Sequence, residues 1–426
     1  MLLSVILSSA GARADEVCGD WGGVASPNPA VVNRVLHIAG RSSTDLWLLG
    51  SAGATYPGTP MIWHWNGAGW STIPLPDTSS LGSLPQFNAI TQLPDGDVLV
   101  GGDVRTSYPI DNQPFVARWN GSAWAEVMRI TLRPQTVYPY GARGGLVYDL
   151  VAAGPNDIWA FGHAASMGSG GSVAMAVHYD GSAWTEYETP IVGNRTNQLI
   201  AADGSGPSDI WAVGVRRDIA GAYLPYSMHW DGESWTYHAA PAGLTGSFDS
   251  IAAVSPTHAW ALGASVMVRW DGSAWQSMPL PAGASSAAIE AVGPGDIWIA
   301  HMTGGYFHWN GSAWSFVPSP FTPPSGRFTQ IRDFVQVGPC DLWAAGSVLA
   351  LDGSAPSTTI VERLSASATA GDVDGDGDVD LSDLTLLLSS FGACSGDPSF
   401  DAAADFDGSG CVELADLAVL LANFGA

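Results

Sequence analysis

A short pattern, an acidic residue and an aliphatic residue before tryptophan and then a small apolar run, recurs along most of this chain. It reads "DLWLLG" at 45, "DIWAFG" at 157, "DIWAVG" at 209, "HAWALG" at 258, "DIWIAH" at 296 and "DLWAAG" at 341, with a divergent "DVLVGG" at 97. Each copy but the last is followed by a second element: "HWNGAGW" at 64, "RWNGSAW" at 118, "HYDGSAW" at 178, "HWDGESW" at 229, "RWDGSAW" at 269 and "HWNGSAW" at 308. Self-similarity at roughly forty to sixty residues means one supersecondary unit repeated, and it excludes most other folds. Asn-Gly and Asp-Gly favour tight two-residue hairpin turns, so the second element predicts strand, two-residue turn, strand. Upstream, "FDSIAAVSPTHAWALG" at 248 reads as two β-rich runs hinged at Ser-Pro-Thr-His. Each repeat is therefore four strands, and such a sheet buries both faces only by stacking on its neighbours around an axis.

The expected fold is an all-β, seven-bladed β-propeller over residues 15–364. The seventh repeat runs to "TTIVERLSA" at 358 and stops without a Trp-bearing last strand, whereas "CGDWGGVASPNP" at 18 has the look of one. The N-terminal strand would complete the last blade and leave no open edge. Cys18 then starts that strand near the turn that holds Cys340, so a disulfide stapling the closure is expected, with free buried thiols as the alternative. The repeats resemble extracellular bacterial β-propellers with Trp-rich repeats, in the broad kelch and WD40-like class. Sialidase Asp-boxes place one residue between Asp and Gly; "DGSAW" has none, so that enzyme family is not supported.

Charge narrows the partners. The net charge is −25 and every basic residue is arginine, which disfavours nucleic acid. Residues 1–14 read as a signal peptide, with an apolar run from Leu2 to Leu7 and Ala12-Arg13-Ala14 as the cleavage pattern. A secreted or cell-surface location follows, with no transmembrane segment and a monomer as the expected state.

The residue before the aromatic of the second element is His64, Arg118, His178, His229, Arg269 or His308, and Arg363 matches it in the last repeat. Metal or anion contacts are one reading; pairing with the repeated Asp45, Asp97, Asp157, Asp209, Asp296 and Asp341 is the other. Free exchange of His for Arg favours pairing. The variable loops gather Arg105, Tyr108, Tyr138, Tyr140, Arg216, Arg217, Tyr223 and Tyr226, a set suited to a glycan or protein ligand on one face. No nucleophile elbow, phosphate loop or histidine metal spacing is present. Carboxylate pairs in the central channel are the remaining catalytic option, and the sequence does not pair them.

After a linker at 365–371 the composition changes. From Ser365 on there are twelve acidic residues and no basic one. "DVDGDGDVDLSD" at 372 follows the spacing of an EF-hand calcium loop, with Asp372, Asp374, Asp376, Asp378, Asp380 and Asp383 as donors. "DFDGSGCVELAD" at 405 repeats it thirty-three residues on, through Asp405, Asp407, Ser409, the Cys411 carbonyl, Glu413 and Asp416. Two Ca²⁺ ions are expected. Each loop leads into an amphipathic helix, marked by Leu384, Leu387, Leu388 and Phe391, then Leu417, Leu420, Leu421 and Phe424. Cys394 and Cys411 are placed to tie the second loop to the end of the first helix.

A loop followed by one helix, duplicated, with Asp at position twelve, looks like a dockerin module over residues 372–426. That resemblance implies calcium-dependent docking on a cohesin-like protein. It implies contacts through Leu381, Ser382, Leu414 and Ala415, which depart from the Ser/Thr pair of cellulosomal members. The function expected is a secreted, non-enzymatic binding protein attached by its tail. A secreted polysaccharide hydrolase or lyase carrying a dockerin is the alternative.

Overall fold

A computed structural model describes residues 18–425, apart from 56–57, 106–111, 131–141, 167–170, 194–195, 303, 339, 353–355, 367–369 and 375–378. Residues 1–14 and the loop residues Tyr108, Tyr138 and Tyr140 lie outside the described residues. Among the described residues two compact units are present, one formed by Gly23–Gln336 and Trp343–Glu362, the other by residues 18–22, Val337–Leu342 and the residues from Arg363 onward.

The large unit is all β. Strands Val32–Ser42, Asp45–Gly53, Thr59–Trp65 and Trp70–Ile73 form a four-stranded antiparallel meander. The same order recurs in the sheets that begin at Asn197–Gly206, Ser250–Ser255 and Ala284–Gly293. Two further meanders, beginning at Ser83–Gln92 and Ala142–Gly154, merge into one eight-stranded sheet through a single parallel pairing of Gly144 with Asn112. In the last sheet Cys18–Val24 lies beside Thr358–Ala366, followed by Asp341–Ala350 and Arg327–Gly338. The N-terminal strand thus supplies the outer position that the last repeat lacks, and Cys18 is disulfide-bonded to Cys340.

The turns of the second element differ from the two-residue expectation. Trp270 pairs with Trp275, leaving a four-residue loop in which the Asp271 carboxylate accepts the N–H groups of Ser273 at 2.9 Å and Ala274 at 2.9 Å. An Asx side chain that captures two backbone donors stabilises a wider loop than Asp-Gly alone would select. Asn66, Asn120, Asp180, Asp231 and Asn310 do the same in their repeats.

The tryptophans of the first element fill the layers between sheets. Trp159, Trp211, Trp260 and Trp343 are buried, and Trp211 lies 4.8 Å from Trp270 of the following sheet. Inner-strand aspartates add polar clasps between sheets: Asp149 accepts the Ala202 N–H at 2.8 Å, Asp203 accepts that of Ala253 at 2.7 Å, and Asp333 accepts that of Ile38 at 3.1 Å. The last of these joins strands from opposite ends of the chain, so the inner strands enclose a common cavity.

The small unit holds two helices, α1 (Leu381–Ser390) and α2 (Leu414–Ala422), around a core of Val373, Val379, Leu387, Ala404, Val412 and Leu420. The expected four-residue stripes are buried only in part. Leu387 and Leu420 are inside and Leu384 and Leu417 half-buried, whereas Leu388, Phe391, Leu421 and Phe424 are exposed. Two short helices have one shared seam, and it takes about one apolar row from each.

Candidate metal centres and an acidic cavity

The repeated basic position is a structural pair. His64, His178, His229 and His308 bond to Asp45, Asp157, Asp209 and Asp296 at 2.6–2.8 Å, and Arg118 and Arg363 to Asp97 and Asp341 at 2.6 and 2.8 Å. Each histidine also stacks on the tryptophan of its own first element, as His308 does on Trp298 at 4.2 Å. Where His258 replaces the aspartate, Arg269 meets no carboxylate among the described residues and its guanidinium lies 6.0 Å from the Trp260 ring centre. His and Arg exchange freely because both donate to a carboxylate and both stack on an indole.

The expected ligand face needs one correction. Tyr226 is fully buried and its hydroxyl donates to the Pro190 carbonyl, so it is a core residue. Strand alternation turns it inward, whereas Tyr223, three residues earlier at the start of the same strand, is exposed. Arg217 stays outside, its Nε donating to the Gly221 carbonyl at 3.1 Å, and Arg105 is exposed at a strand end.

Sequence reasoning allowed for carboxylates in a central channel but did not name the residues around the cavity that the inner strands enclose. It measures about 800 Å³ and is lined by His37, Tyr148, Asp149, Asp203, Asp249, Glu290, Arg332 and Asp333, among others. Burial pushes Asp149 up to about 7 and Asp203 up to about 6, against the backbone N–H bonds that hold each of them. Glu290 is raised well above the carboxylate range by burial, and then by the charges of Asp203 and Asp333. At His37 burial opposes protonation, but the hydrogen bond and charge of Asp333 at 3.2 Å outweigh it and its pKa rises. A signal was present. His37, Asp149 and Asp333 stand ten residues before Trp47, Trp159 and Trp343, and Asp203 and Glu290 eight before Trp211 and Trp298.

The tail gathers its carboxylates from both loops. Donor atoms of Asp372, Asp374 and Asp383 lie within 4.8 Å of one another, as do those of Asp405, Asp407 and Asp416. The twelfth residue anchors each set. Buried Asp383 accepts the N–H groups of Val373 at 2.7 Å, Asp374 at 3.1 Å and Asp380 at 2.8 Å. Buried Asp416 repeats the arrangement with Phe406 at 2.7 Å, Asp407 at 3.3 Å and Glu413 at 2.8 Å. Asp380 also caps α1 by accepting the Ser382 N–H at 2.6 Å. In the second loop Ser409 donates to the Cys411 carbonyl, and Cys394 and Cys411 are disulfide-bonded. Asp376 and Asp378 lie outside the described residues. Three carboxylates gathered this closely repel one another by several kcal/mol, roughly, unless a cation joins them. An all-oxygen donor set suits a hard cation such as Ca²⁺.

Residues 370–424 match the dockerin type I domain. Dockerin modules bind calcium and dock on cohesins, and the two acidic clusters of this dockerin fit that chemistry. The exposed Leu381, Ser382, Leu414 and Ala415 open its two helices, with Leu388 and Leu421 also outside. No curated protein sequence matches the chain. Among solved structures it is similar to YCF48 from Cyanidioschyzon merolae, at 14% identity and a TM-score of 0.48 over 81% of this chain and 99% of that one. It is also similar to YCF48 bound to D1 peptide, at 14% identity and a TM-score of 0.45 over 81% and 97%. A mutant α-L-arabinofuranosidase from Fusarium graminearum in complex with an iminosugar inhibitor gives 14% and 0.44 over 78% and 93%. Among the described residues no helix is long and apolar enough to cross a membrane.

Proposed function

We propose that this chain is an exported, non-enzymatic binding protein: a seven-bladed propeller closed by its N-terminal strand, displaying a ligand face and attached through its dockerin to a cohesin-like partner. The observation that carries this reading is the duplicated triad, in which a buried twelfth-position aspartate is nailed by three backbone N–H groups beside two further carboxylates. Two Ca²⁺ ions would fix both loops and thereby the starts of α1 and α2, which present Leu381 and Leu414 to solvent. The two disulfides support an oxidising compartment.

The acidic cavity favours a second reading, a polysaccharide hydrolase, because a carboxylic acid still protonated near neutral pH can serve as general acid beside an ionised partner. One experiment on the full chain separates the parts. Capture of secreted and surface proteins is carried out in Ca²⁺ and in excess chelator, with an Asp383→Asn/Asp416→Asn variant alongside. Capture of a cohesin-like protein only by the unaltered chain in Ca²⁺ supports docking; equal capture in chelator refutes it. Glycan turnover abolished by Glu290→Gln would replace the binding reading with the hydrolase.

A further inference from the structure

Strand Asp209–Arg217 and the residues after Trp235–Tyr237 enclose a second cavity, of about 230 Å³. Its walls mix apolar side chains, Leu224, Pro225, Pro241 and Leu244 among them, with polar groups such as Thr245, and among the described residues Arg216 is the one charged side chain on it. The Arg216 guanidinium carbon lies 5.9 Å from the centre of the Tyr237 ring, which itself stacks on buried Tyr226 at 5.7 Å. That cation–π contact places the guanidinium beside the ring and leaves N–H groups for another partner.

No such partner is supplied by the described residues. The Arg216 Nε is buried and makes no hydrogen bond. Arg118 and Arg363 bond to carboxylates, and Arg217 and Arg327 to backbone carbonyls, whereas the Nε of Arg269, like that of Arg216, is buried without a hydrogen bond. A buried N–H left unmet is costly, and a planar guanidinium matches a carboxylate through two parallel bonds. In a chain with a net charge of −25, a cavity with an arginine and no acidic residue on its walls is a local exception.

We propose that this cavity binds a small monocarboxylate, its two oxygens held by Arg216 and its body resting on Leu224, Pro225 and Leu244. The inference rests on the reading that the β body displays a ligand face, and it gives that face a chemistry. At about 230 Å³ the space falls below the range of pockets for larger ligands, so the occupant is a single acid unit. A uronic acid sugar and a short aliphatic acid are the two sources of that carboxylate.

Calorimetric titration of the full chain in Ca²⁺ tests it, with sodium galacturonate, sodium propionate, galactose and sodium phosphate as probes. One saturable site for at least one of the two acids is expected, with no matching heat from galactose or phosphate. Tighter binding of galacturonate assigns the sugar source, and tighter binding of propionate the aliphatic one. Arg216→Gln should weaken binding about tenfold or more, as loss of a charge-assisted pair does. Arg216→Lys, which keeps the charge and loses the fork, should also weaken it, and Arg327→Gln, at an arginine that bonds to the Pro356 carbonyl away from this cavity, should leave it unchanged. Thermal melts matching the unaltered chain show that the variants are folded; the lysine variant carries the test if the glutamine variant is not. Absence of saturable binding by either acid overturns the proposal, as does affinity unchanged in both Arg216 variants or phosphate binding as tightly as the acids. Glycan binding that persists in Arg216→Gln would remove this site and leave the ligand face standing elsewhere. Failure of the body to bind any ligand would remove both.

Discussion

Asp149 gives the sharpest test of the cavity. Its ordinary value of 3.8 is raised to about 7 by burial, against the pull of His37 and of two backbone N–H bonds, from Ala202 at 2.8 Å and Leu150 at 2.8 Å. A carboxyl with a raised folded-state pKa binds its proton more tightly folded than unfolded. Its contribution is therefore fully present below the unfolded pKa and is lost as pH rises through the folded value. A tenfold change in proton affinity corresponds to about 1.4 kcal/mol, so the two pH units between 5 and 7 are worth about 2.7 kcal/mol. Dielectric screening in a half-open cavity lowers the expected effect to roughly 1.5–2.5 kcal/mol. Asp149→Asn keeps one acceptor, loses the other, and cannot ionise. The lost hydrogen bond costs the variant a similar amount at both pH values and cancels in the comparison. Urea unfolding of both proteins at pH 5 and pH 8, in saturating Ca²⁺, should show the variant gaining on the unaltered chain by that amount at the higher pH. A stability difference that stays constant between the two pH values would refute the argument that burial dominates at Asp149.

Asp416→Asn removes one charge from a triad and turns an amide toward the Glu413 N–H, so it should abolish most of the Ca²⁺-induced rise in melting temperature of the tail while changing the melt in chelator far less; an equal shift in both conditions counts against metal ligation. Replacing both Cys394 and Cys411 by serine opens a loop with a sequence separation of 17 and should cost the tail about 3 kcal/mol, read by denaturant unfolding with and without Ca²⁺. That cost should shrink in Ca²⁺, because the ion constrains the same loop.

Much of this architecture is legible locally. The Trp pattern recurs because each four-stranded unit meets the same packing problem, and the absent last strand of the final repeat pointed to residue 18. The loop donors are legible for a similar reason, since a twelve-residue metal loop folds its own ligands together. Tyr226 was misjudged because loop-rich sequence around it hid the strand alternation that sends it inward. The carboxylates of the central cavity were not paired because they lie far apart in sequence, and a period of ten or eight residues before tryptophan signals neither a helix nor a strand.

The sequence by itself determined the repeat, the duplicated acidic loops and the residues able to hold a cation, because these depend on neighbours within one unit. Only the tertiary structure decided that His37 meets Asp333, that Asp149, Asp203 and Glu290 share one acidic space, and that Arg216 faces a cavity without a carboxylate. Those outcomes depend on how separate sheets align around the inner strands, and burial then sets which charges are costly and which are met.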